Sequence, residues 1–390
     1  MTRARRRDLP AIYDLVSACF PEAPRAIFVA QYERDSTMRL RHARIGREDG
    51  RVLAHVRIFA RRMLVRGVPV AAGGIGAVAT AADARDAGHA TALLREAIDR
   101  MRRDSIAVSF LFTGIPGFYE RLGWRVVREP ELSADAREAA ALAHDPAVRV
   151  RAATGADLGA MLRIYRRASA GGTGAIVRTA RTWRDATAWL DEDASFVAQV
   201  RGAPVAYLRS RARHFGRQIL EAEHLPGHAG AIAALVAAAG QRAAEDGAPL
   251  VTLAPEGHAL ALALQTLPST RSTPHVRFPE MLRIIDLRTL LDALMPWLRA
   301  RAAGHRGGKL VLGLRAPDEQ RAAVVFEGAS ARIASVRAEI ELDEAGTLRA
   351  LFGQARASSL VRPRPPAGVA RRLDALLPET PLRFWNSDRI

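Results

Sequence analysis

The sequence predicts a mixed α/β (α+β) chain of three units, the first two built alike and the third smaller. Three observations carry this reading. The chain has 390 residues, more than one typical domain holds, and 49% of them are apolar, enough for several cores. Short apolar runs bounded by turn residues alternate with stretches of helical periodicity from one end to the other. The opening is also echoed in the middle of the chain. Arg3-Ala4 followed by Asp8-Leu9-Pro10-Ala11-Ile12 returns as Val150-Arg151-Ala152 followed by Asp157-Leu158-Gly159-Ala160-Met161. The order of the echo favours an ancient duplication, the alternative being that strand-to-helix openings simply look alike. The expected units are residues 1–130, 131–278 with a linker, and 279–390.

In the first unit residues 2–4 read as a strand. A helix begins near Asp8, which suits an N-cap, with Leu9, Ile12, Leu15 and Val16 on one face. A second short helix follows Pro24. Strands at 40–46 and 51–59 flank the turn Glu48-Asp49-Gly50. A strand over 69–80 leads through a turn into a helix over 88–103. A buried strand at 106–112, a short helix holding Phe118 and Tyr119, and a strand at 124–127 complete the unit. Residues 129–148, alanine-rich with scattered acids, read as a connecting helix or linker. The second unit opens near Arg149 and carries its own hairpin across a turn with Gly202; residues 169–174 read as a polar loop. The third opens near Met281, where Leu282, Ile284, Ile285, Leu287, Leu290, Leu291 and Leu294 give a strand and then a helix to about Arg299. Strands at 309–314, 322–326 and 331–336 and helices at 347–352 and 369–377 follow.

Composition excludes several classes. A single cysteine, Cys19, permits no internal disulfide and no thiolate-rich metal site, and fits a reducing compartment. The basic N-terminus runs into Asp8, Asp14 and Glu22 instead of an apolar signal core, and the apolar windows at 231–239 and 259–267 are too short for a bilayer. The expectation is a cytoplasmic protein without a membrane partner. Formal charge is +17, from 58 basic and 41 acidic residues, and Lys309 is the sole lysine. The arginines are scattered, with no zinc-finger spacing and no aromatic-basic strand pair, so they read as permissive surface positions with no specific nucleic-acid partner. His224 and His228 stand four apart but are separated by Pro226 and Gly227, and with Glu221 and Glu223 they match no zinc motif; no metal is expected.

Two stretches carry chemistry. In the first, a strand ends near Thr80 and Arg85-Asp86-Ala87-Gly88-His89-Ala90 turns into a helix. Small residues at a helix N-terminus let backbone amides approach a pyrophosphate, although Gly88 taken alone reads equally as a plain turn residue. It is neither a Walker loop, lacking Gly-Lys-Ser/Thr, nor a dinucleotide fingerprint, because Gly73, Gly74 and Gly76 precede strand residues. The second is Gly114-Ile115-Pro116-Gly117-Phe118-Tyr119-Glu120-Arg121-Leu122-Gly123-Trp124. Phe118 suits the core. Tyr119, with a reference pKa of about 10, could protonate a departing thiolate, or could be a packed tyrosine with its hydroxyl satisfied.

Residues 85–90 resemble the acyl-CoA motif Arg/Gln-x-x-Gly-x-Gly/Ala of the GNAT acetyltransferases, and Phe118-Tyr119 through Gly123-Trp124 resembles their Phe-Tyr-x-x-x-Gly-Phe/Tyr segment about 30 residues on. The whole chain is similar to the three-part acetyltransferases of the "enhanced intracellular survival" type. That resemblance implies two GNAT-like mixed-sheet units, the second degenerate, and a sterol-carrier-protein-like α+β domain. It implies an acetyl-CoA-dependent N-acetyltransferase acting on a primary amine, on a small molecule or peptide, in assemblies up to a hexamer. The alternative is a non-catalytic acyl-CoA-binding or regulatory protein that keeps the fold. By the resemblance, backbone at Ala77 and Val78 holds the pantetheine arm and thioester, amides of Arg85, Asp86, Ala87, Gly88, His89 and Ala90 bind the pyrophosphate, Tyr119 is the general acid, and the terminal carboxylate of Ile390 helps deprotonate the amine. A polycationic acceptor fits poorly with the overall charge. In the middle unit the corresponding turn reads His224-Leu225-Pro226-Gly227-His228-Ala229-Gly230, without the arginine or glutamine, and Pro226 removes an amide. This unit is expected to be structural.

Overall fold

The computed structural model describes residues 1–127, 130–190 and 192–389. The first unit runs β1 (Thr2–Arg3), α1 (Leu9–Cys19), α2 (Arg25–Glu33), β2 (Ala43–Glu48), β3 (Arg51–Val65), β4 (Val68–Thr80), α3 (His89–Arg103), β5 (Val108–Phe112), α4 (Pro116–Glu120) and β6 (Arg125–Val126). β7 (Pro130–Ala134) ends the first unit in chain order, and the second runs α5 (Ala136–Ala140), β8 (Val148–Ala152), α6 (Leu158–Ser169), α7 (Ala180–Leu190), β9 (Ala194–Val200), β10 (Ala203–Arg213), β11 (Gly216–His224), α8 (Ala231–Glu245), β12 (Leu250–Leu253), α9 (Ala259–Gln265), β13 (Arg271–Pro274) and β14 (Glu280–Ile284). The two follow one plan down to their turns. Asp49-Gly50 and Arg201-Gly202 each take left-handed φ at both positions, which a two-residue hairpin loop needs to match strand twist.

The two sheets exchange a strand. The first is ordered β1-β2-β3-β4-β5-β14-β6 and the second β13-β7-β12-β11-β10-β9-β8. β14, from the end of the second unit, lies between β5 and β6 and pairs Leu282 with Phe110. β7, from the end of the first, lies between β12 and β13 and pairs Ser133 with Val251. Residues 280–284, read from sequence as the head of the third unit, are therefore a strand of the first sheet. Their apolar run, Met281, Leu282 and Ile284, is buried on both faces, as an interior strand requires. Residues 130–134 are likewise a strand and not a linker: Leu132 and Ala134 point into the core. Only residues 136–140 of that stretch are helical, capped by Asp135, which accepts the Arg137 amide at 2.8 Å.

The third unit comprises α10 (Leu287–Gly304), β15 (Leu310–Ala316), β16 (Gln320–Glu327), β17 (Ser330–Ala334), β18 (Ile340–Leu342), α11 (Glu344–Phe352) and α12 (Ala367–Leu376), with sheet order β17-β16-β15-β18. Sequence reading missed the short β18. The β3–β4 hairpin plugs into this unit. Arg66 at its tip is buried and donates to the carbonyls of Ala350 and Leu351 at the C-terminus of α11 and to Pro378 O. Carbonyls at a helix C-terminus favour a cation. The 169–174 loop is held by the same joint: Thr173 is buried and its Oγ1 accepts the Arg66 amide at 3.0 Å.

Part of the arginine excess is structural. Arg57, Arg209, Arg217 and Arg283 are among the largest fully buried side chains, paired with acids such as Asp35, Glu192, Asp193 and Asp318. No helix among the described residues is long and apolar enough to cross a membrane.

Candidate active site

The site grows from two strands that part. β4 and β5 are parallel and pair only from Ala72/Val108 to Gly74/Phe110; β4 then continues to Thr80 paired with β3 and no longer with β5. Such a wedge leaves backbone groups free to bind an extended ligand as a further strand would. Here β4 is bulged. Gly76 pairs with Arg57 and Ala79 with His55, so Ala77 and Val78 together oppose Val56, and Ala77 takes φ of +50°. Beneath the bulge His55 is fully buried. Its Nδ1–H donates to Ala77 O at 2.7 Å and its Nε2 accepts from the Tyr32 hydroxyl at 2.5 Å. Burial pushes His55 down to about 4, so the ring is neutral near pH 7.

Past Thr80 a short turn is tied by the Arg51–Asp83 ion pair, and residues 85–88 are exposed. Gly88, at φ +77°, precedes the first residue of α3 and has open space where a side chain would sit. No side chain caps this helix, so its first amides are available to an anion. Arg85 and His89 flank them, without hydrogen-bond or ion-pair partners among the described residues.

Tyr119 lies on α4, buried, edge-to-face with Phe118 at 5.0 Å and Trp124 at 6.1 Å. It packs in one cluster with Ile75 and Val78 of β4 and Leu93 and Leu94 of α3, so the strand, the helix and the phenol meet. Its hydroxyl has no hydrogen-bond partner among the described residues, and burial pushes it up to about 12.

A cleft opens beside the wedge, between the first unit, the second and the C-terminal tail. Asp35, Arg61, Trp183, Asp185, Asp388 and Arg389 line it. The Arg389 guanidinium lies 4.3 Å from the ring of Phe112, at the end of β5, and so links this cleft to the wedge. Ile390 lies outside the described residues. Asp388 is buried, with Oδ1 taking Arg178 Nη2 at 2.6 Å and Oδ2 accepting no hydrogen bond among the described residues. Arg178 also holds Glu221 at 2.7 Å. Burial would raise Glu221, but Arg178 and Arg209 hold it at about 2; burial raises Asp388 to about 6 against the pull of Arg178, with Glu221 adding to the rise. Glu221 therefore keeps the charge and Asp388 titrates.

The second unit shows what the first would look like closed. β11 leaves β12 after Ile219, as β4 leaves β5 after Gly74. Two and four residues on, the first unit has Gly76 and Val78 and the second has buried Glu221 and Glu223. The tail fills this second wedge: Ser387 Oγ bonds Glu221 and Trp385 Nε1 donates to Glu223 at 3.0 Å. His258 packs edge-on against Trp385, 5.1 Å away. Sequence reading missed His55, Asp35, Arg178 and Trp183, because their partners lie on other elements and leave no local spacing. Among the described residues no group of three or more histidine, cysteine or acidic side chains is arranged to hold a metal.

Residues 1–127 match the family described as acetyltransferase (GNAT) domain. No curated protein matches the chain in sequence. Three solved structures are similar over almost their whole length. One is an Enterococcus faecalis protein described as a probable N-acyltransferase, at TM-score 0.74 and 17% identity, with 97% of each chain covered. A GCN5-related N-acetyltransferase from Anabaena variabilis gives 0.73 and 16%, with 96% of each covered. Eis1 from Mycobacterium abscessus gives 0.69 and 15%, with 100% of this chain and 99% of that one covered. At such identities the likeness is one of fold: the chain has the GNAT acetyltransferase fold.

Proposed function

We propose that the chain is an acetyl-CoA-dependent N-acetyltransferase that passes acetyl directly to a primary amine. The observation that carries this is the open β4–β5 wedge, bulged at Ala77-Val78 and continued by the uncapped helix start at Gly88. The fit to an acyl-CoA is physical. The small residues Gly76 and Ala77 leave backbone accessible for a pantetheine arm, and the unobstructed amides after Gly88 suit a pyrophosphate. Arg85 and His89 add cationic or hydrogen-bonding side chains at the same turn.

The amine enters by the cleft lined by Asp35, Asp185 and Asp388, and the Asp388 carboxylate accepts its N–H. Its nitrogen lone pair attacks the thioester carbonyl, whose developing oxyanion is met by backbone N–H at the bulge. The C–S bond then breaks, and Tyr119, neutral at any physiological pH, gives its proton to the departing thiolate; the surplus proton of the acetylated nitrogen passes to Asp388 and on to solvent, which returns one to Tyr119. Trp183 supplies an apolar wall for the acceptor's carbon frame.

The test is calorimetry with acetyl-CoA, followed by thiol release across small amines, polyamines and lysine peptides. Tyr119→Phe is expected to lower kcat by about 10²-fold and to leave acetyl-CoA affinity unchanged. Binding without acceptor-dependent release from any amine would point to a non-catalytic acyl-CoA-binding protein; absence of acetyl-CoA binding would sink the reading altogether.

A further inference from the structure

An alanine held at φ +50° is strained by its Cβ against the backbone, so something must fix Ala77 there. The means is a buried chain of contacts. The Ala77 carbonyl can only accept, so His55 Nδ1 carries the proton and Nε2 accepts from the Tyr32 hydroxyl. Both ring nitrogens are thereby committed, and neither is left to move a proton in the wedge. The Tyr32 ring is in turn covered by the Arg57 guanidinium at 4.7 Å, which is pinned by Asp35 Oδ2 at 2.8 Å and Gln31 O at 2.6 Å.

The second unit supplies a comparison within the same molecule. Counting from where the strands part, the partner of His224 on β11, Ala206, stands where His55 stands opposite Ala79 on β3. Ala206 has no side chain to hold a carbonyl, and none of residues 220–224 takes a positive φ. The histidine and the left-handed bulge occur together in the open wedge, and both are missing from the one the tail fills.

We propose that His55, oriented by Tyr32, is a positioning residue that keeps the Ala77–Val78 bulge in the shape that receives the pantetheine arm and thioester. This rests on the acyl-CoA reading given above. A residue acting on the bulge must affect ligands that reach it and spare ligands that stop at the helix start. Acetyl-CoA reaches both places; 3′,5′-ADP, which lacks the pantetheine arm, reaches only the second.

Calorimetry on the full chain separates these effects. In His55→Leu, acetyl-CoA affinity is expected to fall about tenfold or more with 3′,5′-ADP affinity unchanged. His55→Asn, whose amide nitrogen can replace Nδ1 as donor, should recover most of the loss. So should Ala77→Gly placed in the His55→Leu chain, since glycine adopts this φ without penalty. Tyr32→Phe, a milder change that keeps the ring, should show the same ligand selectivity should His55→Leu fail to fold. Equal loss of both ligands, no loss of either, or failure of both restoring changes would overturn the proposal. If the wild-type chain binds neither ligand, the acyl-CoA reading itself falls and takes this inference with it.

Discussion

Asp388 shows how one arginine can assign different charges to two neighbouring acids. Arg178 is shared by Glu221 and Asp388, and Glu221, which also has Arg209, retains its charge. Asp388, a residue that lines the cleft, is left with a pKa of about 6 and one buried oxygen that has no hydrogen-bond partner among the described residues. The sign of the consequence is fixed. A carboxylate that must accept an amine N–H works when ionised, so acetyl transfer should rise with pH through about 6 and level above it. In Asp388→Asn the Oδ1 contact to Arg178 can persist while the ionisation is gone. The expected result is a raised KM for the amine, an unchanged acetyl-CoA affinity, and loss of the limb near pH 6. A limb that stays in place in the variant would remove Asp388 from the acceptor site. For stability the sign is opposite: a raised acid binds its proton more tightly in the native chain, so its contribution is present at low pH and fades as pH rises from the unfolded carboxylate range to about 6.

The C-terminal tail acts as an element although it has only a single helical turn. Phe384 packs at 5.3 Å from the rings of both Phe110 and Phe112 on β5, and Trp385 is wholly buried in the second unit. Trp385→Ala should therefore cost about 3–5 kcal/mol, since it opens a large cavity and leaves Glu223 short of a donor. Thermal or urea unfolding would register this as a lowered midpoint, and a shift near zero would mean the tail merely lies on the surface. Little of this was legible in sequence. Gly88, Tyr119 and the hairpin turns declare themselves because their chemistry is local: a left-handed cap, an aromatic pair after proline, two residues between strands. The tail does not, because Trp385, Ser387 and Asp388 acquire meaning only from Glu223, Glu221 and Arg178, more than 160 positions away. Periodicity likewise identifies residues 280–284 as a strand and says nothing of which sheet takes it.

At the scale of the whole molecule, the reciprocal exchange of β7 and β14 makes each sheet depend on the other unit. The family match ends at residue 127, yet a chain cut there would lack an interior strand of its own sheet. β6 pairs with β14 alone among the described strands, and β5 would keep only its short parallel contact with β4. Met281 and Ile285 would also be gone from the cluster around Trp124 and Tyr119. Residues 1–127 alone are therefore expected to be poorly folded and prone to associate through the bare edge of β5, with weak acetyl-CoA binding. The geometry also shows how to repair the cut. Val127 N donates to Glu280 O at 2.8 Å, and β6 and β14 are antiparallel, so the two ends already sit as the arms of a hairpin. Joining residue 127 to residues 279–286 by a short glycine-rich turn should close the sheet. The fused unit is expected to unfold cooperatively and to protect the amides of residues 108–112 from hydrogen exchange, whereas the plain fragment should not. Equal protection in both would mean that the exchanged strand is dispensable and that the first unit folds on its own contacts.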